Sequence, residues 1–82
     1  LALAYFAMEK GGNMPCVLNA ANEIAVQAFL QDEISFTQMS MLIEKCLEKN
    51  FFIAKPSFSD YLETDKETRI KATELVQQFN NA

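Results

Sequence analysis

Three polar side chains on an otherwise apolar stretch are the first candidates for a functional site. Asn19, Asn22 and Glu23 lie three and four positions apart within a run of alanine and branched apolar residues, so they share one face of a predicted helix. Two amides and a carboxylate are costly there unless they meet polar partners, and one carboxylate is too few for a magnesium site. We therefore interpret these residues as a candidate docking face, with direct contact to a substrate or metal as the alternative.

A cluster of carboxylates later in the chain is the second candidate. Asp60, Glu63, Asp65 and Glu67 surround the predicted starts of two helices, where the helix dipole stabilises negative charge. A weak divalent-cation site is the alternative, although the segment lacks the alternating ligand spacing of an EF-hand loop. Two close carboxylates are also typical of a glycosidase, but nothing else in the sequence predicts a sugar-binding cleft. We expect these carboxylates to stabilise helix starts.

The remaining reactive residue types are few. The chain contains no histidine, which excludes Ser-His and Cys-His nucleophilic pairs and histidine-containing zinc sites. Cys16 and Cys46 lie far apart in largely apolar helical contexts, so we expect reduced thiols in or near the core, with an interhelical disulfide as the alternative. The pair Gly11–Gly12 follows a predicted helix rather than a strand, which favours a turn over a phosphate-binding loop.

Composition narrows the class of protein. The chain has 82 residues, of which 50% are hydrophobic and 22% are charged, and its net charge is −4. These values are ordinary for one globular domain spanning residues 1–82, and the acidic balance disfavours nucleic acid as a partner.

The first eight residues are almost wholly apolar, but they lack the basic start of a signal peptide. They also fall far short of the ~20 residues needed to cross a bilayer, so we expect no membrane partner. The start without methionine, inside a predicted helix, indicates a fragment of a longer polypeptide.

The first half of the chain predicts two helices. The first covers residues 1–10 and ends at Gly11; because it is apolar on nearly every side, we expect it to be the most enclosed element or to face a missing neighbour. The second begins near Pro15, which suits a first helical turn, and ends around Gln31. The expected inner stripe of the second helix is Leu18, Ala21, Ala25, Ala28 and Phe29.

The second half predicts three more helices and a connector. Ser35 followed by Gln38 is a capping-box signature that begins a third helix, and its expected buried face is Phe36, Met39, Ile43, Cys46 and Leu47. Residues 51–56 predict an extended connector held to the core by its aromatic side chains. Ser57 with Asp60 predicts a short helix through Leu62, and Thr64 with Glu67 predicts the last helix over residues 65–79. The expected apolar side of that last helix is Ile70, Ala72, Leu75, Val76 and Phe79.

Together these elements predict an all-α fold. Four longer helices and one short helix, joined by brief links, are typical of an antiparallel helical bundle. Such a bundle is stabilised by burial of the apolar stripes, at about 25 cal/mol per Å². The fold class alone assigns no activity.

The most specific pattern runs from residue 1 to Phe36. It comprises Gly11–Pro15, Val17–Glu23, Ala28–Leu30 and Ile34–Phe36. This pattern resembles the C-terminal helical domain of the 1-deoxy-D-xylulose 5-phosphate reductoisomerase family, and a looser likeness continues to the end of the chain. Two positions depart from the family pattern: Asn13 stands where many members carry threonine, and Cys16 where many carry alanine.

The resemblance implies a parent enzyme that rearranges and reduces deoxyxylulose phosphate to 2-C-methyl-D-erythritol 4-phosphate in non-mevalonate isoprenoid biosynthesis. It implies NADPH and Mg²⁺ or Mn²⁺ as cofactors of the parent, a homodimeric state and a cytoplasmic or plastid-type location. The implied partners are the catalytic and nucleotide-binding domains of the same chain. Since the family's metal and substrate ligands belong to the central catalytic domain, the resemblance implies that this segment holds no cofactor, has a structural role and is inactive alone.

Two alternatives remain open at this point. A free-standing acidic helical protein-interaction module would fit the composition, and an independent start codon just before Leu1 would favour it. A small metal-dependent enzyme would require tight magnesium or manganese binding, which is disfavoured because the chain lacks histidine. Upstream coding sequence with a strand, a glycine-rich turn and a helix would favour the enzyme domain.

Overall fold

Four helices make up the fold. The computed structural model describes residues 2–81 and contains α1 (Ala2–Lys10), α2 (Met14–Leu30), α3 (Phe36–Lys49) and α4 (Phe58–Asn80), with no strand in that range. The predicted all-α helical bundle is therefore confirmed. Helix α2 occupies the centre, because it packs against all three other helices and makes the most extensive contacts in the fold.

The core lies where α2 meets α3 and α4. Ala21, Ala25 and Ala28 are buried, as the inner stripe of the second helix predicts, and their small side chains permit close packing of the neighbouring helices. Leu18 is partly buried and packs against this core, whereas Phe29 is 37% exposed, so the predicted stripe is wrong at Phe29. The buried residues of α2 that the stripe omits are Met14, Val17 and Ala20.

A tight turn joins α1 to α2. Gly11 and Gly12 have φ values of +70° and +57°, which glycine adopts at little cost, so the predicted turn is confirmed. A Cβ atom on Gly12 would overlap the carbonyl oxygen of Ile53. Helix α2 then begins at Met14, with Pro15 in its first turn as predicted. Leu1, the predicted first residue of the first helix, lies outside the described residues.

Helix α3 begins as predicted. The Gln38 N–H donates to Ser35 Oγ (3.1 Å), and the Ser35 N–H donates to Gln38 Oε1 (2.8 Å), which together form the capping box. The prediction that Phe36 is buried is wrong: this side chain is 73% exposed, because it occupies the first turn, beyond the end of the core. Its ring lies edge-on to Phe29 with centroids 6.2 Å apart. The buried residues of α3 are Leu42, Ile43, Cys46 and Leu47.

The two helices predicted for the end of the chain are one. Ser57 caps α4 with Asp60 as predicted, but the helix continues without interruption through Asn80. Thr64 is therefore inside the helix rather than at its start, and its side chain is buried. Ala72, Leu75 and Val76 lie in the core as expected, whereas Ile70 is about half exposed.

Residues 50–57 form the connector between α3 and α4. The prediction that its aromatic side chains hold it to the core is wrong, since Phe51 is 90% exposed and the Phe52 ring lies at the surface under the ammonium of Lys10, 4.9 Å from the ring centroid. The connector is held instead by polar contacts of its backbone. Those contacts come from Asn13, at the turn between α1 and α2.

Candidate functional site

The predicted docking residues lie together on the exposed side of α2. Asn19, Asn22 and Glu23 are all exposed. The Asn19 Nδ2 donates to Glu23 Oε2 (3.3 Å), one turn farther along the helix. The three side chains therefore share one face, as their spacing predicts.

Part of this polar face is already occupied within the domain. The Arg69 guanidinium of α4 donates through Nη2 to Glu23 Oε2 (3.1 Å) and through Nε to Asp65 Oδ2 (2.9 Å). These hydrogen bonds, to Asp65 first and then to Glu23, raise the pKa of Arg69 above its ordinary value. Because both pairs are solvent-exposed, each contributes no more than about 1 kcal/mol to stability. Glu23 thus connects α2 to α4.

Asn19 and Asn22 also line a groove between α1 and α2. The groove has a volume of about 400 Å³. Its other lining residues are Ala4, Met8, Pro15 and Leu18. Two of the three predicted docking residues, Asn19 and Asn22, therefore form the polar border of an apolar groove, which their spacing in the sequence does not reveal.

A buried asparagine to which the sequence pattern assigned no role, Asn13, lies where the α1–α2 turn meets the connector and α4. Asn13 is only 1% exposed. Its Nδ2 donates to the Phe51 carbonyl (2.8 Å) and to Thr64 Oγ1 (3.3 Å), and its Oδ1 accepts from the Ile53 N–H (2.8 Å). Its backbone N–H donates to the Ile53 carbonyl (3.0 Å). Asn13 therefore binds the connector and α4 together.

A second asparagine, Asn50, also contacts a threonine of α4, and that threonine lies one helical turn after Thr64. Asn50 Nδ2 donates to the Cys46 carbonyl (2.7 Å), and the Thr68 hydroxyl donates to Asn50 Oδ1 (3.4 Å). Thr64 and Thr68 are four residues apart, so both hydroxyls lie on the same face of α4. In the sequence, the only sign of the Asn13–Thr64 and Asn50–Thr68 contacts is the presence of two threonines four residues apart.

The carboxylate cluster is divided among separate roles. Asp60 caps α4, and Asp65 pairs with Arg69. Asp60, Glu63 and Glu67 border a cleft of about 320 Å³ between the connector and α4. Lys49 and Lys71 line the same cleft and neutralise part of its negative charge. Among residues 2–81, no group of three potential ligands is arranged to hold a metal ion.

Both cysteines are free thiols, as predicted. Cys46 is fully buried, and burial raises the pKa of its thiol to about 11, with a small opposing effect of Lys71. Burial, followed by the negative charge of Asp65, also raises the pKa of Cys16. The Cys16 Sγ lies 3.6 Å from the Tyr61 carbonyl. A raised pKa disfavours the thiolate, which is the nucleophilic form of a cysteine.

The described helices include none that combines the length and the apolar character of a membrane span.

Comparison with known proteins identifies close relatives. A family described as "DXP reductoisomerase C-terminal domain" matches residues 1–71. The chain is 58% identical over 76 residues to the 1-deoxy-D-xylulose 5-phosphate reductoisomerase of Bacteroides thetaiotaomicron, covering 93% of the chain and 20% of that protein. It is 51% identical over 79 residues to the enzyme of the same name from Porphyromonas gingivalis, covering 96% and 20%. It is 52% identical over 69 residues to that of Bacillus pumilus, covering 84% and 18%. The chain thus spans about one fifth of the length of these relatives.

Proposed function

Because this chain belongs to the DXP reductoisomerase C-terminal domain family, we propose that it is the C-terminal structural domain of a 1-deoxy-D-xylulose 5-phosphate reductoisomerase. The observation that carries the proposal is the 58% identity over 93% of the chain to the enzyme of that name from Bacteroides thetaiotaomicron. The parent enzyme converts deoxyxylulose phosphate to methylerythritol phosphate with NADPH and Mg²⁺ or Mn²⁺, as a cytoplasmic homodimer. The family match favours this function over a free-standing protein-interaction module.

Within the parent, this domain is structural rather than catalytic. The side chains of residues 2–81 do not fit a divalent cation, since Asp60 caps a helix, Asp65 pairs with Arg69, and Glu63 and Glu67 share their cleft with two lysines. They do not fit the pyrophosphate of NADPH either, because Gly11 and Gly12 follow a helix and form its terminating turn. These residues therefore take no part in the chemistry of the reaction. Both cofactors belong to the other domains of the parent.

The domain's contribution is to support the catalytic domain and to help position it relative to the nucleotide-binding domain. We assign the contact to the face of Asn19, Asn22 and Glu23. Support for this assignment comes from the exposure of all three side chains and from the groove that Asn19 and Asn22 border. Amides at the border of an apolar depression match the usual anatomy of an interface, in which a polar rim surrounds an apolar centre.

Purified intact parent and purified 82-residue chain test this function directly. With deoxyxylulose phosphate, NADPH and Mg²⁺, we expect the parent to oxidise NADPH and the isolated chain to oxidise none. The parent without the substrate is the matched control for background oxidation. Turnover by the isolated chain would contradict the structural role. An intact parent without turnover would contradict the assigned reaction.

A further inference from the structure

Helix α1 carries apolar side chains on the side that faces away from the core. Leu3 and Ala7, four residues apart, face the core. Tyr5 is 65% exposed and Met8 is 69% exposed. With Ala4, these two residues form the surface that we call the α1 patch.

The α1 patch lacks the charged border that a solvated helix normally has. The first charged residue of α1 is Glu9, and it is followed by Lys10 in the last turn of the helix. A helix at the surface of a globular domain usually carries polar and charged residues opposite its buried stripe. Here the outward side is apolar over the first two turns, which is typical of a helix that contacts protein on both sides.

The α1 patch is continuous with the groove described above. Ala4 and Met8 form one side of the groove, and Pro15 and Leu18 of α2 form the other. Asn19 and Asn22 border it. The apolar centre and the amide border therefore make one surface that extends across α1 and α2.

The position of the α1 patch in the chain indicates what covers it. The relatives are about five times as long as this chain, which covers 20% of each, and the matching family is described as a C-terminal domain. A C-terminal domain follows most of its parent in the chain, so most of the parent polypeptide would lie on the N-terminal side of α1. The order of the domains along the chain therefore favours the upstream polypeptide as the occupant of the α1 patch.

We propose that the α1 patch and the adjoining groove are covered, in the intact parent, by the polypeptide that precedes this domain. This proposal rests on the proposed function, because it requires a parent enzyme with this chain at its C-terminal end. It places the main apolar contact on α1 and makes Asn19 and Asn22 the polar border of that contact. Tyr5 and Met8 are its central side chains, since large apolar groups at the centre of an interface carry most of its binding energy.

Cysteine accessibility in the intact parent tests this proposal. Met8→Cys and Asn22→Cys place thiols at the centre and the border of the surface. Gln78→Cys, at an exposed polar position on α4, is the matched control. Each variant is labelled with a maleimide under native conditions and after unfolding in urea, and peptide mapping by mass spectrometry separates the new thiol from Cys16 and Cys46.

We expect the thiol at position 8 to react about tenfold or more slowly in the native parent than in the unfolded parent, since labelling then requires opening of the contact. The thiol at position 22 should be slowed less, and that at position 78 only slightly. Native labelling at position 8 that is as fast as at position 78 would overturn the proposal. Protection that grows with protein concentration would also overturn it, because it would place a second copy of the chain on the α1 patch.

Turnover of the same Met8→Cys parent separates this proposal from the assigned reaction. If the Met8→Cys parent is active and its thiol at position 8 is accessible, only the proposed contact on α1 is contradicted. If the unsubstituted parent is inactive, the proposed function is contradicted instead.

Discussion

At the scale of single residues, Asn13 is a buried amide whose side chain makes three hydrogen bonds to distant parts of the chain. Its amide offers two donor hydrogens and an acceptor oxygen, and it uses them on the Phe51 carbonyl, the Thr64 hydroxyl and the Ile53 N–H. The connector has no helix or strand partner for these backbone groups, and such groups need a hydrogen bond when they are removed from water. Asn13 supplies for the connector what a neighbouring strand would supply in a sheet.

Replacement of Asn13 by alanine should destabilise the domain substantially. The substitution leaves the Ile53 N–H and the Phe51 carbonyl without their partner, and each unsatisfied group costs about 1–3 kcal/mol. Because both groups are partly buried, we expect a loss of about 2–4 kcal/mol in the free energy of unfolding, measured by urea denaturation followed by circular dichroism. Asn22→Ala, at an exposed position, is the control and should change stability by less than about 0.5 kcal/mol. Equal stability of the two variants would show that water replaces Asn13.

The role of Asn13 could not be predicted from the sequence, whereas the shared face of Asn19, Asn22 and Glu23 could. Local spacing along a helix fixes which side chains are neighbours, and that is enough to group residues three and four positions apart. The partners of Asn13 lie 38, 40 and 51 positions away in the chain. Helix periodicity contains no information about such distant contacts. The ion pair between Glu23 and Arg69, 46 positions apart, was missed for the same reason.

At the scale of helices and turns, local signals were reliable where a local interaction decides the structure. The capping boxes at Ser35 and Ser57 formed as predicted, because their hydrogen bonds involve residues three positions apart. The same signature at Thr64 was misleading. The Thr64 hydroxyl is bonded to Asn13, so a long-range partner allows it to lie inside α4. No glycine or proline interrupts residues 58–80, and the helix continues through this position.

The turn between α1 and α2 offers a matched pair of substitutions. Gly11 and Gly12 both have positive φ, and an alanine in this conformation costs about 1–2 kcal/mol. Gly11 has open space where a Cβ would lie, whereas a Cβ on Gly12 would overlap the Ile53 carbonyl, which accepts from the Asn13 N–H. Gly11→Ala should therefore lower the free energy of unfolding only by the cost of placing alanine at positive φ. Gly12→Ala should lower it by the same cost and should also displace the connector.

Thermal unfolding of the two variants, with amide hydrogen exchange at Ile53, measures this difference. We expect Gly12→Ala to unfold at the lower temperature and to show faster exchange at the Ile53 N–H. Gly11→Ala should leave the exchange at Ile53 close to that of the unsubstituted chain. Identical effects of the two substitutions would mean that the connector moves aside freely and that the close contact with Gly12 is not a constraint.

At the scale of the whole molecule, the sequence predicted the fold class but not the distribution of apolar surface. The periodic stripes of α2, α3 and α4 identify most of the core, because burial on one side of a helix repeats along the chain. Helix α1 has no stripe, so its sequence left two possibilities: full enclosure or a neighbour outside the chain. Within residues 2–81 only Ala7 of α1 is buried, which removes the first possibility. The exposed side of α1 is the surface on which the proposed contact with the rest of the parent enzyme lies.

The stability of the whole domain should also depend on pH through the buried thiol of Cys46. Burial raises the pKa of this thiol in the folded chain to about 11, from an ordinary value of 9.0. As the pH rises from 9.0 toward 11, the unfolded chain loses the thiol proton while the folded chain keeps it. The unfolded state then binds fewer protons, so stability falls with rising pH over this window and is fully retained below it.

Comparison with Cys46→Ala isolates the effect of this thiol from every other pH-dependent contribution to stability. Below pH 9.0 the unsubstituted chain should be the more stable, because alanine leaves a cavity at a fully buried position. The difference in free energy of unfolding should then narrow by about 2 kcal/mol as the pH approaches 11. Cys16→Ala, at a half-buried thiol, serves as the second comparison and should show a smaller change. A difference for Cys46→Ala that stays constant across this range would mean that the thiolate is accommodated in the folded core, and that the junction of α3 with the rest of the domain admits water.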